Sequence, residues 1–219
     1  PGDRVRAHGV ARAHRDAGRR GPQCVDERLH CFAINNFLMK TYIILLRGIN
    51  VGGHRKMPMT ELRQLLSNSG YANVQTYIQS GNVVLQSSSD SKILKQDLEE
   101  TILNHFGFEV KVLVKTDAEF KAIYAACPFQ NEEKEKSYFM MLDGIPDASD
   151  LTEISKLEYN GEKVNITKNC IYFFSANGYG RTKFNSNFFE RRLKVNASAR
   201  NHKTMLKLLV MVEEAEAKL

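Results

Sequence analysis

Cysteine is scarce in this 219-residue chain, and no apolar run is long. The four cysteines, Cys24, Cys31, Cys127 and Cys170, form no CxxC pair. That argues against a zinc site or a disulfide framework and suits a reducing compartment, so no metal or cofactor is expected and a cytoplasmic location is. The longest apolar pieces, such as Tyr42 to Leu46, are strand-sized and far short of the roughly 18–20 residues that cross a bilayer, so no membrane partner is expected. Lysine and serine are both missing from residues 1–38, which hold seven arginines, whereas the remainder has seven arginines and seventeen lysines. The lack of serine and the acids Asp3, Asp16, Asp26 and Glu27 argue against a transit peptide, and Asn35 and Asn36 interrupt the apolar piece a signal peptide would need. Residues 1–38 are therefore expected to be a non-native or disordered extension, with Met39 standing directly before the first convincing strand. Without them the formal net charge falls from +6 to +3, with 24 cations against 21 acids, so any basic site is local rather than global.

What is present has a regular order. Thr41 to Arg47 is a continuous apolar run, the mark of a strand buried on both faces. Thr60 is the expected N-cap of a helix with Leu62, Leu65 and Leu66 on one face, closed by Gly70. Val74 to Ile78 and Val83 to Leu85 are β-prone and joined by the hairpin-like Gln79-Ser80-Gly81-Asn82. Asp90 or Ser91 caps a second helix that runs to Phe106 and stops at Gly107, and Val110, Val112 and Val114 then alternate with lysines as a solvated sheet edge. This βαββαβ order is that of a ferredoxin-like sandwich. A helix from Asp117 to Ala126, Pro128 and the charged stretch Asn131 to Lys136 read as a connector. The order then recurs: a strand at Tyr138 to Leu142, a helix near Ala148 to Leu157, strands at Lys163 to Thr167 and Ile171 to Ser175, a helix around Asn185 to Leu193, an extended piece at Val195 to Ala199 and a last helix. The expected fold is α+β, two ferredoxin-like (βαββαβ) subdomains in tandem with an added C-terminal helix. The expected division is 39–128, including the connector helix, and 129–219.

Chemistry concentrates in two glycine-bearing clusters. Three glycines fall within six residues in Arg47-Gly48-Ile49-Asn50-Val51-Gly52-Gly53, and His54, Arg55 and Lys56 follow at once. Such a loop admits positive φ and close ligand approach, and its cations suit an anion. It fits neither the GxxxxGK[ST] phosphate loop nor the GxGxxG dinucleotide turn, and strand-end ion pairing with ordinary turn glycines is the bland alternative. Because the first and third strands of a βαββαβ unit are antiparallel neighbours, Ser80 and Asn82 are expected near Arg47. The second cluster runs from Gly178 to Asn187, where Lys183 with Asn185 or Ser186 at a helix start would favour an oxyanion. Arg200 and Asn201 introduce the last helix, with Asn201 as its N-cap. Glu190 and His202 are the acid/base candidates, against the simpler readings of an ion-paired glutamate and a structural histidine.

Three blocks carry a family resemblance: Leu45-Leu46-Arg47-Gly48-Ile49-Asn50-Val51-Gly52-Gly53, Tyr77-Ile78-Gln79-Ser80-Gly81-Asn82-Val83, and Thr182-Lys183-Phe184 through Phe189-Glu190-Arg191-Arg192-Leu193 to Arg200-Asn201 and Thr204. With these the chain resembles, from Met39 nearly to Leu219, the family named domain of unknown function 1697, small soluble proteins mostly of bacteria. The resemblance implies an α+β fold of two subdomains and brings no established activity. His202 stands where an aromatic residue is common in that family, and Lys194 where glycine is usual.

The leading expectation is a binding protein in which Arg47, Gly48, Asn50, Gly52, Gly53, Lys56, Ser80, Asn82, Lys183, Arg200 and Asn201 surround one anionic ligand, a nucleotide, an RNA phosphate or a phosphorylated metabolite. One alternative is a small-metabolite enzyme using Glu190 or His202 as acid or base. Another is a structural interface without a ligand, its glycines serving close packing.

Overall fold

Strand β1 (Lys40–Arg47) is apolar at nearly every position because both of its faces are covered, and the alternation of its side chains assigns them to two different cores. Tyr42, Ile44 and Leu46 point to one, Ile43 and Leu45 to the other. A computed structural model describes residues 39–157, 161–175, 178–179 and 182–218. The expectation for residues 1–38 lies outside the described residues, as do Gly180 and Arg181 of the second glycine cluster.

The fold is α+β, with two four-stranded antiparallel sheets and, among the described residues, seven helices. After β1 come α1 (Met59–Asn68), β2 (Ala72–Tyr77), β3 (Asn82–Ser87), α2 (Ser91–Phe106) and β4 (Lys111–Thr116). The first sheet has the order β2-β3-β1-β4. Next follow α3 (Asp117–Ala125), α4 (Asn131–Glu135), β5 (Tyr138–Leu142), α5 (Ala148–Ser155), β6 (Lys163–Ile166), β7 (Cys170–Phe174), α6 (Ser186–Leu193), β8 (Ala197–Asn201) and α7 (His202–Glu216). The second sheet has the order β6-β7-β5-β8. No helix among the described residues is long and apolar enough to cross a membrane.

Three apolar clusters define the layering. Met59, Leu62 and Leu66 of α1 and Leu94, Leu98 and Ile102 of α2 cover the outer face of the first sheet. Ile154 of α5 with Phe189 and Leu193 of α6 covers the outer face of the second. Between the inner faces lie α3, through Phe120 and Ile123, and α7, through Met205, Leu208, Met211, Val212 and Ala215, against Leu45, Val84 and Leu113 on one side and Phe139, Met141 and Tyr172 on the other. Each such buried aliphatic or aromatic side chain contributes roughly 1.5–3 kcal/mol. The shared middle layer therefore joins the halves as firmly as either outer core holds its own half.

Polar groups stitch the same seam. Tyr172 Oη donates to Ile123 O at 2.9 Å, and Gln86 Nε2 reaches Ala215 O near the end of α7 at 2.9 Å. β4 is an edge strand of its sheet as its alternating lysines imply, but not a solvated one: Leu113 is buried as well as Val112, and Lys115 Nζ donates to Leu142 O of the second half at 2.8 Å. Asp90 caps α2 by accepting from Lys92 N and Ile93 N at 2.8 and 3.0 Å. Thr60 does not cap α1. That helix starts at Met59, whose side chain is buried, with Pro58 as the preceding residue and Pro58 O accepting from Leu62 N at 3.0 Å. The last strand is also displaced from its expected span, because Ala197 to Asn201 complete the ladder with Leu142 to Tyr138.

One glycine is fixed by space as well as by dihedral angle. Gly81, φ +75°, opens β3, and a Cβ there would lie 2.7 Å from Leu46 Cβ and 2.9 Å from Ile49 Cδ1. Gly81→Ala is expected to destabilise the fold by roughly 2–4 kcal/mol, the sum of a left-handed backbone on a non-glycine residue and overpacking of a fully formed core, as measured by urea unfolding.

Candidate functional site

The glycine run forms a small hairpin of its own. Asn50 N donates to Arg55 O and His54 N to Val51 O, both at 3.1 Å, and Val51 and His54 make an isolated antiparallel bridge. Between them Gly52 and Gly53 take φ values of 59° and 79°, and two successive positive angles are what a type I′ turn requires. Asn50 holds the base of this hairpin with its whole amide. Its Nδ2 donates to Met57 O and Gln79 O, both at 2.9 Å, and its Oδ1 accepts from Met57 N at 2.8 Å. The tip stands in solvent, with Val51 67% exposed and Gly52, Gly53, His54, Arg55 and Lys56 exposed around it. Asn50 and the two tip glycines thus build and support a loop.

Arg200 occupies the junction between the sheets. On β8, Ser198 and Arg200 lie on the face shared with Met141 and Phe139, their register partners, and therefore look inward toward the first sheet. The residue is 9% exposed and all the donors of its guanidinium are engaged. Its Nε donates to Asn82 Oδ1; Nη1 to Ser198 Oγ at 2.8 Å and Ala199 O at 2.9 Å; Nη2 to Ser80 O at 3.1 Å and Leu46 O at 3.2 Å. Asn82, fully buried, turns its Nδ2 to Tyr77 O and Ser80 Oγ at 3.0 and 2.9 Å. None of these acceptors is a carboxylate. Burial, with the Arg47 charge adding repulsion, pulls the Arg200 pKa down to about 10, which still leaves it cationic at neutral pH.

Arg47, at the end of β1, makes the second link. Its Nη2 donates to Glu190 Oε2 and, at 2.6 Å, to Asn187 Oδ1, both on α6. Glu190 uses its other oxygen to accept from Ala197 N at 2.7 Å, at the start of β8. Both oxygens of the acid/base candidate are therefore occupied.

A cleft of about 220 Å³ opens at this junction, lined by Arg47, Gly48, Ser80, Ser198 and Arg200 together with Tyr179 and Ser186 among others. The start of α6 borders it already capped: Ser186 N donates to Tyr179 Oη at 2.9 Å, and Phe188 N to Asn185 Oδ1 at 3.1 Å. Of the residues expected at a site, Arg47, Gly48, Ser80 and Arg200 line the cleft and Asn82 stands behind it. Lys56 is carried on the outward hairpin, and Lys183 is exposed and does not line the cleft. Asn201 caps α7, its Oδ1 accepting from Thr204 N at 2.9 Å. His202 does not line the cleft: its Nε2 meets Tyr124 Oη at 3.1 Å, its ring stacks on Tyr124, and Lys134 Nζ sits 4.4 Å from that Tyr124 ring. Ser186, named at the helix start in the sequence, also lines the cleft, while Ser198 and Tyr179 are lining residues to which the sequence reading gave no role. Ser198 has a signal, since two-residue spacing from Arg200 puts both on one face of a strand drawn to Asn201. Among the described residues no group of three or more His, Cys, Asp or Glu is arranged to hold a metal ion.

Comparison with known proteins finds a family and a solved structure similar to this chain. Residues 39–172 match the family model described as Protein of unknown function (DUF1697). The structure of a conserved bacterial protein from Streptococcus pneumoniae is similar, with a TM-score of 0.64 and 28% identity, over 80% of this chain and 99% of that one. No curated protein matches.

Two outcomes follow from the geometry. Arg200→Ala would strand Asn82 Oδ1 and the carbonyls of Leu46 and Ser80, and is expected to cost at least about 3 kcal/mol in denaturant unfolding, with Arg200→Lys giving little rescue because an ammonium cannot span those acceptors. His202 is held below its ordinary pKa, first by burial and then by the Lys134 charge, so its cationic form is disfavoured in the fold. Above the unfolded-state value of about 6.5 both states are neutral and nothing is lost. As pH falls below that value the unfolded chain takes up the proton more readily and stability declines, and thermal unfolding of His202→Gln should lack that decline between pH 6.5 and 5.

Proposed function

The chain belongs to the protein family of unknown function DUF1697, and we propose that within it this protein is a binding protein that takes the anionic head of a small phosphorylated metabolite in the cleft between its two halves. The carrying observation is the character of that cleft: among the described residues two arginines, three serines and a tyrosine line it and no carboxylate does. Two other clefts are lined by Glu99, Glu100 and Glu109 and by Asp97 and Glu100, which gives them the opposite sign. A guanidinium balanced only by neutral dipoles keeps its field, and in a partly enclosed space that field attracts an anion.

Size narrows the ligand. About 220 Å³ is room for roughly seven waters, below the ~300–1,000 Å³ of sites that enclose drug-sized molecules. A phosphate with a few carbons fits, whereas a whole nucleotide or an RNA strand would extend out along the exposed hairpin. In this reading the chain is a tandem of two ferredoxin-like units, 39–128 and 129–219. The equivalent strand orders β2-β3-β1-β4 and β6-β7-β5-β8 support that division and leave the site at their seam. The protein is cytoplasmic in this reading, in keeping with the free thiols of Cys127 and Cys170.

A ligand-free structural interface is the second reading, favoured by the saturation of Asn82 and Arg200. A thermal-shift series with inorganic phosphate, small phosphorylated metabolites, nucleotides and short RNA separates the two. Binding raises stability by RT ln(1 + [L]/Kd), about 2.7 kcal/mol at a hundredfold excess over Kd, and small phosphorylated compounds should give the largest shifts. Glu190→Gln, which removes the charge opposite Arg47, should strengthen anion binding while lowering ligand-free stability. A flat response to every anion would leave the interface reading standing.

A further inference from the structure

Both arginines that line the cleft are engaged within the fold. Arg200 has no donor to spare, and Arg47 is turned to Glu190 and Asn187. Arg200 can supply only field at the cleft, whereas Arg47 keeps Nε and Nη1 clear of its bonds to Glu190 and Asn187, so one further free guanidinium beside it would complete a contact with a bound anion. Arg55 answers that need. Its backbone is held at φ 48°, a left-handed conformation uncommon outside glycine, by the bond from Asn50 N to its carbonyl at 3.1 Å. That conformation ends the small hairpin, and the exposed Arg55 side chain, though not part of the cleft wall, reaches Gly48. A Cβ placed on Gly48, a lining residue, would lie 3.5 Å from Arg55 Nη1, so the guanidinium rests beside bare backbone at the rim. Among the described residues that guanidinium makes no hydrogen bond and no ion pair.

We propose that Arg55 is the anion-contacting residue of the junction cleft, laid beside Gly48, and that the site it completes selects dianionic phosphate monoesters over singly charged carboxylates. This rests on the anion-binding reading above. Three guanidiniums, Arg47, Arg55 and Arg200, stand against the one carboxylate of Glu190, a surplus of two positive charges that matches a phosphate dianion. Arg55 alone of the three has its whole planar fork of donors unengaged, the geometry that meets two oxygens of one phosphate at once. Gly48 has its φ of +71° as the reason to be glycine, and a Cβ there would meet the guanidinium only at ordinary contact distance.

The test uses methyl phosphate and acetate as probes, titrated calorimetrically into the full chain and into Arg55→Ala and Arg55→Lys. The unaltered protein is expected to bind methyl phosphate about tenfold or more tighter than acetate. Its affinity should rise as pH passes about 6, where a phosphate monoester becomes a dianion. Arg55→Ala should weaken methyl phosphate about tenfold, weaken acetate by a smaller factor and flatten that pH dependence. Arg55→Lys should restore charge but only part of the affinity. Because Arg55 is exposed, the ligand-free unfolding midpoint of both variants should stay at or above that of the parent, which separates a contact from a structural role. Methyl phosphate binding to Arg55→Ala as tightly as to the parent would overturn this inference alone, and equal affinity for acetate and methyl phosphate would overturn the selectivity. If the unaltered protein binds neither probe, the inference and the reading beneath it both fall.

Discussion

A full positive charge buried at the seam, balanced by carbonyl and amide dipoles, is the constraint around which this protein is arranged. Burying a guanidinium is tolerable only when every donor finds an acceptor, and Arg200 finds its acceptors on β8 itself, at the end of β1 and in the turn that opens β3. Those groups lie far apart in the chain, so satisfying one side chain fixes the position of one sheet against the other. Asn82 and Gly81 are consequences of the same demand. The amide must be buried to face Arg200, and the glycine must lack a side chain so that the turn can press against Leu46 and Ile49.

The apolar layers follow a consistent logic with it. Period-two alternation in β1, β3, β5 and β7 sends successive side chains to an outer and an inner core, and the inner core is shared through α3 and α7. A shared core gives association without direction, since apolar contact is proportional to area and indifferent to register. The directional groups at its edge, Arg200 on the carbonyls and Arg47 on Glu190 and Asn187, set the register. The same groups give the adjoining cleft its sign. Fold and candidate site are thus two results of one arrangement, in which charges spent on structure border a cleft whose wall, among the described residues, holds no carboxylate.

Legibility in the sequence followed the range of the interaction. Elements set by local periodicity and capping were readable: β1 from its unbroken apolar run, α2 from Asp90 and the spacing of Leu94, Leu98 and Ile102, and the α7 cap from Asn201. Readings that depended on what covers an element went astray. The lysines of β4 imply water, yet Val112 and Leu113 are buried and Lys115 reaches the second half. Thr60 has the chemistry of an N-cap, but burial of Met59 draws the start of α1 forward. In the candidate site Arg47, Gly48, Ser80, Ser186, Asn82 and Arg200 were brought together, while Asn201 caps a helix, Lys183 does not line the cleft, and Tyr179 and Ser198 were missed.

By itself the sequence determined the order of elements, the two-core character of the central strands and the presence of cations beside glycines, because these depend on side-chain period and on backbone freedom within a few residues. Only the tertiary structure decided which cations are spent. Whether a guanidinium donates to carbonyls, pairs with a carboxylate or rests beside bare backbone depends on groups as much as 154 residues distant in the chain, and no local pattern records where such groups will meet.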